Sequence, residues 1–479
     1  MYEQYGLFVD GRWRPAGDGG TYAVINPATE EPIGRAPLAT RADAEAAIAA
    51  AHKALTGWRR TQPWERARII RGIGEAMRAR LDEMARLMTL EVGKPLAQAK
   101  GEIQGSIDQF EWHAEETKRI YGQIIESRLP NATMQVTYEP VGVVAAFAAW
   151  NFPAVLLSRK IAPALAAGCT IIGRPSEETP GVGMLIVKCC EEAGVPPGVV
   201  NLLTGKSSTI SPVLMASPLV RKISLTGSTA VGKLLMKAAA DTMKRVSMEL
   251  GGHAPVIVHE DVDVEQVAAL SAQAKFRNAG QVCIAPTRFY VHESQAKPFT
   301  ERFVAVTRAL KLGDGLAPDT DVGPLATRKR LEQVEALVED TKGSGARLLT
   351  GGRRPPGFNR GFFYEPTVFD QVPDEARIMH EEPFGPVAPI TTFSDFDDVI
   401  RRANATSYGL ASYVFTRSLK KAHESCEALE SGMVAVNTYA LATAEAPFGG
   451  IKESGFGREG GSLGIKDYLD VKYKNIVMA

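Results

Sequence analysis

The chain has no surplus of charge: Lys and Arg together number 55, and so do Asp and Glu. A protein whose main partner is nucleic acid normally carries a basic excess for the phosphates, so that class is not expected. No long run of like charge marks a disordered tail. Cysteine is scarce, five in 479 residues, odd in number and without a Cys-x-x-Cys pair. That excludes a disulfide scaffold and a thiolate zinc site, and no metal is expected. Each cysteine should be a small buried hydrophobe in a reducing, cytoplasmic setting. Uninterrupted apolar runs are also missing. The longest charge-free stretch, Val141 to Ser158, is broken by Asn151 and Pro153 and followed by Arg159 and Lys160. A buried strand and the start of a helix explain it better than a membrane span. Met1 to Asp10 contains Glu3 and Asp10 and no basic segment, so no secretory signal is expected. There is no fixed-period repeat and no low-complexity segment.

What is present is a globular composition, 45% hydrophobic and 23% charged, at a length that allows about three domains at ~150 residues each. The first third reads as helix-rich. Thr40 can cap a helix over Asp43–Leu55, Pro63 suits the first turn of one from Trp64 to about Val92, and a third pattern runs from Leu96 to Tyr121. Strands are predicted at Ile124–Ser127, Met134–Tyr138 and Val141–Ala149. Short apolar strands then alternate with helices. The strands are Thr170–Ile172, Val199–Leu203, Lys222–Leu225, Val246–Met248 and Val256–Val258; the helices include Val155–Ala167, Met184–Ala193 and Val231–Ala239. This alternation predicts an α/β fold with a parallel sheet. A second α/β series follows Gly252, with a helix Val264–Asn278, a strand Arg288–Val291, helices around Phe299–Ala309 and Lys329–Lys342, and a strand Ala346–Leu349. Asp467–Met478 reads as an edge strand.

Four segments could carry chemistry. Asn278-Ala-Gly-Gln-Val-Cys283 offers a nucleophilic thiol on a loop after a helix, or else a buried structural thiol. Glu249 follows a short apolar strand; it is either a general base raised by burial or a paired strand-end carboxylate. Asn151, in Ala149-Trp-Asn-Phe-Pro153, is either one donor of an oxyanion hole or a plain cap for the helix beginning at Pro153. Ser224-Leu-Thr-Gly227-Ser-Thr-Ala-Val-Gly232 is a strand, a glycine turn and a helix start. Its backbone N–H groups suit a phosphate, and an ordinary strand-turn-helix reads the same way.

Taken in order, these segments resemble the aldehyde dehydrogenases along nearly the whole chain. The resemblance lies in Trp150-Asn-Phe-Pro153, Arg174-Pro-Ser-Glu177, Leu225-Thr-Gly-Ser228, Glu249-Leu-Gly-Gly252, Gly280-Gln-Val-Cys283, Glu382-Pro-Phe-Gly-Pro386 and Pro447–Ser454. Within the family the chain is most similar to succinate-semialdehyde dehydrogenases, on Glu111–Glu116, Lys275–Gly280, Gly457-Arg-Glu-Gly460 and Gly464–Leu469. The resemblance implies a Rossmann-like NAD-binding domain (1–122 and 139–250, with 438–460), an α/β catalytic domain (251–437), and a small β oligomerisation element (123–138 and 461–479) in a homodimer or homotetramer.

It also implies roles. Cys283 would add to the aldehyde and form a thioester, Asn151 and the Cys283 N–H would hold the oxyanion, and Glu249 would activate water. Lys160 would assist proton transfer, unless it is a surface lysine. NAD, with NADP as the variant, would meet Trp150, Arg174, Ser176, Glu177, Gly227, Ser228, Gly232, Leu250, Glu382 and Phe384. Glu177 favours NAD by repelling a 2′-phosphate, while Arg174 stands where the family usually has Lys. Arg159, Arg277, Thr443 and Phe448 would meet the substrate. Two arginines near one thiol imply a carboxylate on the aldehyde. Ala442 falls where the branch has a Ser, and His113 replaces an aromatic residue, so a longer or bulkier acid semialdehyde is an alternative to succinate semialdehyde. CoA-acylating, broad-specificity and inactive binding relatives are the other readings. With Ile284 and Ala285 after Cys283, no vicinal disulfide can form.

Overall fold

The computed structural model describes residues 2–478; Met1 and Ala479, the outermost residues of two segments assigned above, lie outside them. An eight-stranded sheet runs Gly455–Phe456, Arg245–Glu249, Val220–Thr226, Val143–Phe147, Thr170–Arg174, Val200–Leu202, Leu7–Val9, Arg12–Arg14. Five consecutive strands within it, from Arg245–Glu249 to Val200–Leu202, are parallel. Numbered along the chain among themselves, they stand in the order 5-4-1-2-3, the dinucleotide-binding arrangement. The order reverses between Val143–Phe147 and Val220–Thr226, so the connections leave in opposite directions there and open a crevice at the strands' carboxyl ends. Val143–Phe147 and Thr170–Arg174 are wholly buried, as expected for parallel strands covered on both faces.

A seven-stranded sheet follows: Arg347–Thr350, Thr367–Asp370, Val387–Phe393, Pro286–His292, Ala254–Val258, Ala411–Phe415, Met433–Val436. It is parallel apart from the first pair. The third sheet is antiparallel. Leu469–Val477 pairs residue for residue with Ala132–Pro140, which also pairs with Gln123–Ile125.

Several elements differ from expectation. The N-terminal segment carries strands Leu7–Val9 and Arg12–Arg14 and the pair Thr21–Ile25 with Pro32–Pro37, too short or too polar to show as alternating patterns. The long helix predicted from Trp64 is two, Pro63–Ala79 and Leu81–Val92. They are broken at Arg80 (φ −111°, ψ 15°) and the second is closed by left-handed Gly93. Thr40 and Asp43 do form a reciprocal capping box at the helix Arg41–Trp58. Cys169, Cys189 and Cys190 are buried, but Cys426 is exposed, on the Leu419–Ala428 helix that buries little of itself. No helix among the described residues is long and apolar enough to cross a membrane.

Candidate active site

A cavity of about 340 Å³ occupies the crevice where the first sheet's order reverses. Its floor is the ends of Val143–Phe147 and Val220–Thr226, continued by Trp150 and by Gly227 and Ser228. Ser228 caps the helix Thr229–Ala240, its side chain accepting from the Val231 N–H. Arg174, Ser176, Leu250, Glu382 and Phe384 complete the wall. The Trp150 and Phe384 rings meet edge to face at 5.5 Å. Two residues expected here do not line the cavity. Gly232 lies in the first turn of the Thr229–Ala240 helix, where a Cβ would strike the Leu250 side chain, so the absence of a side chain there lets the helix pack on that loop. Glu177 sits beside the rim, its carboxylate taking Arg174 Nη2 at 2.8 Å and the Ser207 N–H at 3.2 Å.

Cys283 lines this cavity and a second one behind it. Before it, Asn278, Ala279 and Gly280 are all left-handed, at φ 49°, 53° and 72°. A non-glycine residue in that region costs about 1–3 kcal/mol, so the surroundings must enforce it. They do so by close backbone contacts. A Cβ on Gly280 would collide with the Gly385 carbonyl, and one on Gly252 with the Cys283 carbonyl. The three glycine-bearing segments around 251, 280 and 385 therefore lock together and fix the thiol. Burial, with the carboxylates of Glu382 and Glu249, pushes the Cys283 thiol up to about 12, while Arg159 pulls the other way.

Asn151 is buried, and its Nδ2 donates to the Gln281 carbonyl at 3.1 Å. It does not cap the helix Pro153–Ala167. That task falls to Glu102, whose Oε1 accepts from the Ala154 and Val155 N–H groups at 2.9 and 3.2 Å. Its other oxygen pairs with Lys94. Lys94 in turn donates to the Asn151 carbonyl at 2.9 Å and lies 3.7 Å from the Phe152 ring centre, and Asn278 Nδ2 donates to the same carbonyl at 3.1 Å. Both ends of Asn151 are thus held, its carbonyl by Lys94 and Asn278 and its amide by the Gln281 carbonyl, which leaves one amide hydrogen uncommitted.

Glu249 ends the strand Arg245–Glu249 and lines neither cavity. Its Oε2 is buried without a partner, and its carboxyl is raised well above the usual range by burial first and then by Glu459. Lys160 is not a surface residue. It is fully buried, 2.5 Å from Glu459 Oε1 and 2.9 Å from Thr226 Oγ1. Lys160, Glu459 and Glu249 thus form one buried acidic-basic cluster next to the thiol. Glu382 accepts from the Gly252 N–H at 3.1 Å and is raised to about 7 by burial.

The second cavity, about 520 Å³, reaches from Cys283 to Arg159 and brings in Arg277, Thr443 and Phe448. Arg159 is buried, its guanidinium 4.2 Å over the Phe448 ring and its Nε without a partner. Arg277 is exposed, 5.6 Å from the Phe152 ring, so the two arginines stand against different walls. Thr443 is exposed on the loop that also carries Ala442. His113 lies buried behind Arg159. Its Nδ1 pairs with the Gln109 carbonyl at 2.8 Å, and burial lowers it to about 4.

Sequence reading missed Glu459, Glu102, Lys94 and Gln109. Glu459 sat in the quoted Gly457–Gly460 segment as a family mark rather than as a charge. Glu102 showed only as one of the charges on the Leu96–Tyr121 pattern, with nothing local to say that it faces inward.

A model described as the aldehyde dehydrogenase family matches residues 13–474. The chain is 45% identical to 3-sulfolactaldehyde dehydrogenase of Pseudomonas putida, over 97% of this chain and 96% of that one. It is 43% identical to the NADP(+) succinate-semialdehyde dehydrogenase of Escherichia coli K12, over 99% and 98%. Among solved structures, an E. coli NADP-dependent enzyme superposes with a TM-score of 0.97 at 43% identity, covering 99% of this chain and 98% of the other. With that likeness spanning both sheets and both cavities, the chain belongs to the aldehyde dehydrogenase family.

Proposed function

We propose that the chain oxidises an aldehyde bearing an acid group to the corresponding diacid, with NAD(P) as oxidant. The observation that carries the substrate side is Arg159, a buried guanidinium with an unpartnered Nε, in the wall of the cavity that also holds Cys283. A buried cation is stable only when paired, and a bound acid would supply the pair. Asp108 and Glu445 add carboxylates nearer the surface of that cavity, so an anion gains most by passing them and reaching Arg159. The relatives named for succinate semialdehyde and 3-sulfolactaldehyde support the same reading.

The cofactor fits the switch-point cavity on its chemistry. Glycine at 227 brings backbone close, Ser228 caps a helix start suited to phosphate, and Glu382 offers a fixed carboxylate to ribose hydroxyls. Trp150, Leu250, Phe384 and Ser176 supply the remaining contacts, and Gly232 supports the turn from behind. When bound, the nicotinamide accepts a hydride. Glu177, already paired to Arg174, sets a carboxylate and a neutralised cation at the adenosine end, which favours NAD over NADP.

The chain's own groups do the rest. The Cys283 thiol gives its proton to water in the cavity and, as thiolate, adds to the carbonyl carbon, whose π electrons move to the oxygen; the Asn151 amide and the Cys283 N–H hold that oxyanion. Loss of hydride leaves a thioester on Cys283. Glu249 swings to the cavity, takes a proton from water as water attacks, and the acid leaves with the thiol restored. Lys160 and Glu459 carry that proton onward or hold Glu249 ready. This water-activating carboxylate argues against transfer of the acyl group to CoA.

The first sheet, joined by Gly455–Phe456, supports the NAD-binding unit as assigned, and the second sheet the catalytic unit. The third sheet exposes Ile124, Ile125, Val471, Tyr473 and Val477, which supports its use as a subunit contact in a homodimer or homotetramer. The unpaired cysteines support a cytoplasmic setting. The deciding experiment is kcat/KM for succinate semialdehyde against butanal, each with NAD and NADP. The acid is expected ahead by on the order of tenfold or more, with NAD preferred; equal values would defeat the acid-aldehyde reading.

A further inference from the structure

One row along a wall of the Cys283 cavity is short of side chains. The helix Leu96–Glu116 lines that wall with Gln98, Glu102 and Asp108, and between them with Gly101, Gly105 and Gln109, spaced four residues apart and therefore on one face. A Cβ on Gly101 or Gly105 would meet no atom within 4 Å. Neither glycine allows a close helix contact, and each weakens the helix that carries it. What the pair does is clear a slot about 6 Å long, one turn at 1.5 Å per residue, open to solvent at Gly101.

At the inner end of the slot the chemistry turns polar. Gln109 is 1% exposed and its Oε1 has no partner; Arg159 is 3% exposed and its Nε has none. Buried polar groups are ordinarily satisfied, and two orphans facing one cavity point to a ligand that satisfies them. Phe152, Leu156 and Val282 give the space between Cys283 and these groups apolar sides. A volume near 520 Å³ also lies within the ~300–1,000 Å³ of pockets that hold drug-sized ligands, well above the needs of a short linear chain.

We propose that the slot takes a planar ring: the preferred substrate is a ring-bearing acid aldehyde, its ring over Gly101 and Gly105 and its acid group on Arg159 and Gln109. This rests on the reading of Arg159 as an anionic anchor and adds the body of the molecule between that anchor and the thiol. The Gln109 amide both donates and accepts, so it can donate to an acid oxygen and accept from a ring hydroxyl or amine.

The test measures kcat/KM on the intact enzyme for 4-carboxybenzaldehyde, benzaldehyde, succinate semialdehyde and butanal, before and after Gly105→Leu. Leucine favours a helix over glycine, so the fold should hold; Tm and NAD affinity check it. The wild type should prefer 4-carboxybenzaldehyde to succinate semialdehyde by about tenfold or more. Gly105→Leu should cut the ring substrate at least tenfold more than it cuts succinate semialdehyde, because the added side chain fills the slot that only the ring enters. Succinate semialdehyde ahead in the wild type, or equal losses on both, would overturn the slot while a preference for acids over neutral aldehydes kept the anchor. Ring selectivity lost on Gly105→Leu with no preference for acids would overturn the anchor and keep the slot.

Discussion

The two cavities that meet at Cys283 are built from different material. The one at the sheet's switch point is made of strand ends, a glycine turn, a helix N-terminus and side chains already held by bonds, such as Glu382 on the Gly252 N–H and Glu177 on Arg174. The one behind it is walled by helices and a loop, with glycines, exposed Arg277 and Thr443, and orphaned polar atoms on Arg159 and Gln109. Backbone sites suit a ligand that is the same in every turnover. Side-chain sites with unspent hydrogen bonds suit the ligand that distinguishes one enzyme from its relatives.

Substitutions that break this contrast should fall in a definite order. Cys283→Ala belongs to both cavities and should have the largest effect, lowering steady-state NADH formation by more than about 10⁴-fold. Titration of the variant should show NAD binding nearly unchanged; measurable turnover would remove the thiol from its role.

Glu249→Gln comes next, with an expected loss in kcat of roughly 10²–10⁴-fold. Hydride leaves before water attacks, so rapid mixing should still show a burst approaching one NADH per subunit. The pH profile sharpens this. Burial and Glu459 raise Glu249, so its basic form grows as pH rises, and thioester hydrolysis in the wild type should climb with pH through that raised value. In the variant the hydrolysis step should be flat over the same range, because glutamine does not titrate; a parallel climb would assign the base elsewhere.

On the substrate side, Arg159→Ala should lower kcat/KM for acid aldehydes by on the order of 10- to 150-fold, the weight of a charge-assisted hydrogen bond worth about 1.5–3 kcal/mol. Neutral aldehydes should lose little. Arg277→Ala should do less, because that guanidinium is exposed and screened. Matching losses for acid and neutral substrates in either variant would make the arginine a support for the Cys283 loop. The smallest change belongs to the cofactor side. Glu177→Ser removes a partly exposed like charge and frees Arg174, and should shift the NADP-to-NAD ratio of kcat/KM upward by roughly tenfold; an unchanged ratio would mean that the adenosine end is read by other groups.

What the sequence made legible follows from the same contrast. Residues whose identity is demanded by backbone stand out: Gly280 against the Gly385 carbonyl, Gly252 against the Cys283 carbonyl, Ser228 at a helix start. Each belongs to a short segment that can be read locally, and the alternating strands and helices of both sheets were legible for the same reason. Gly232 shows the limit, since nothing local in the sequence says that it abuts Leu250. Lys160 and Glu459 are 299 residues apart, and no local pattern says that they meet. Glu102 takes over a capping role that adjacency suggested for Asn151. The three-residue N-terminal strands and the break at Arg80 depend on what packs against them, and tertiary contact outweighs propensity in pieces that short.

The bonds that hold Asn151 have a consequence for the order of assembly. Lys94 reaches it across 57 residues and Gln281 across 130, while Lys160 meets Glu459 across 299. Closing such loops costs chain entropy that only a finished pair of sheets repays, so long-range contacts of this kind form late. Either half of the molecule can acquire its secondary structure with Asn151 still unplaced. Catalysis is therefore the last property the chain gains as it folds, and the first it loses when the sheets part.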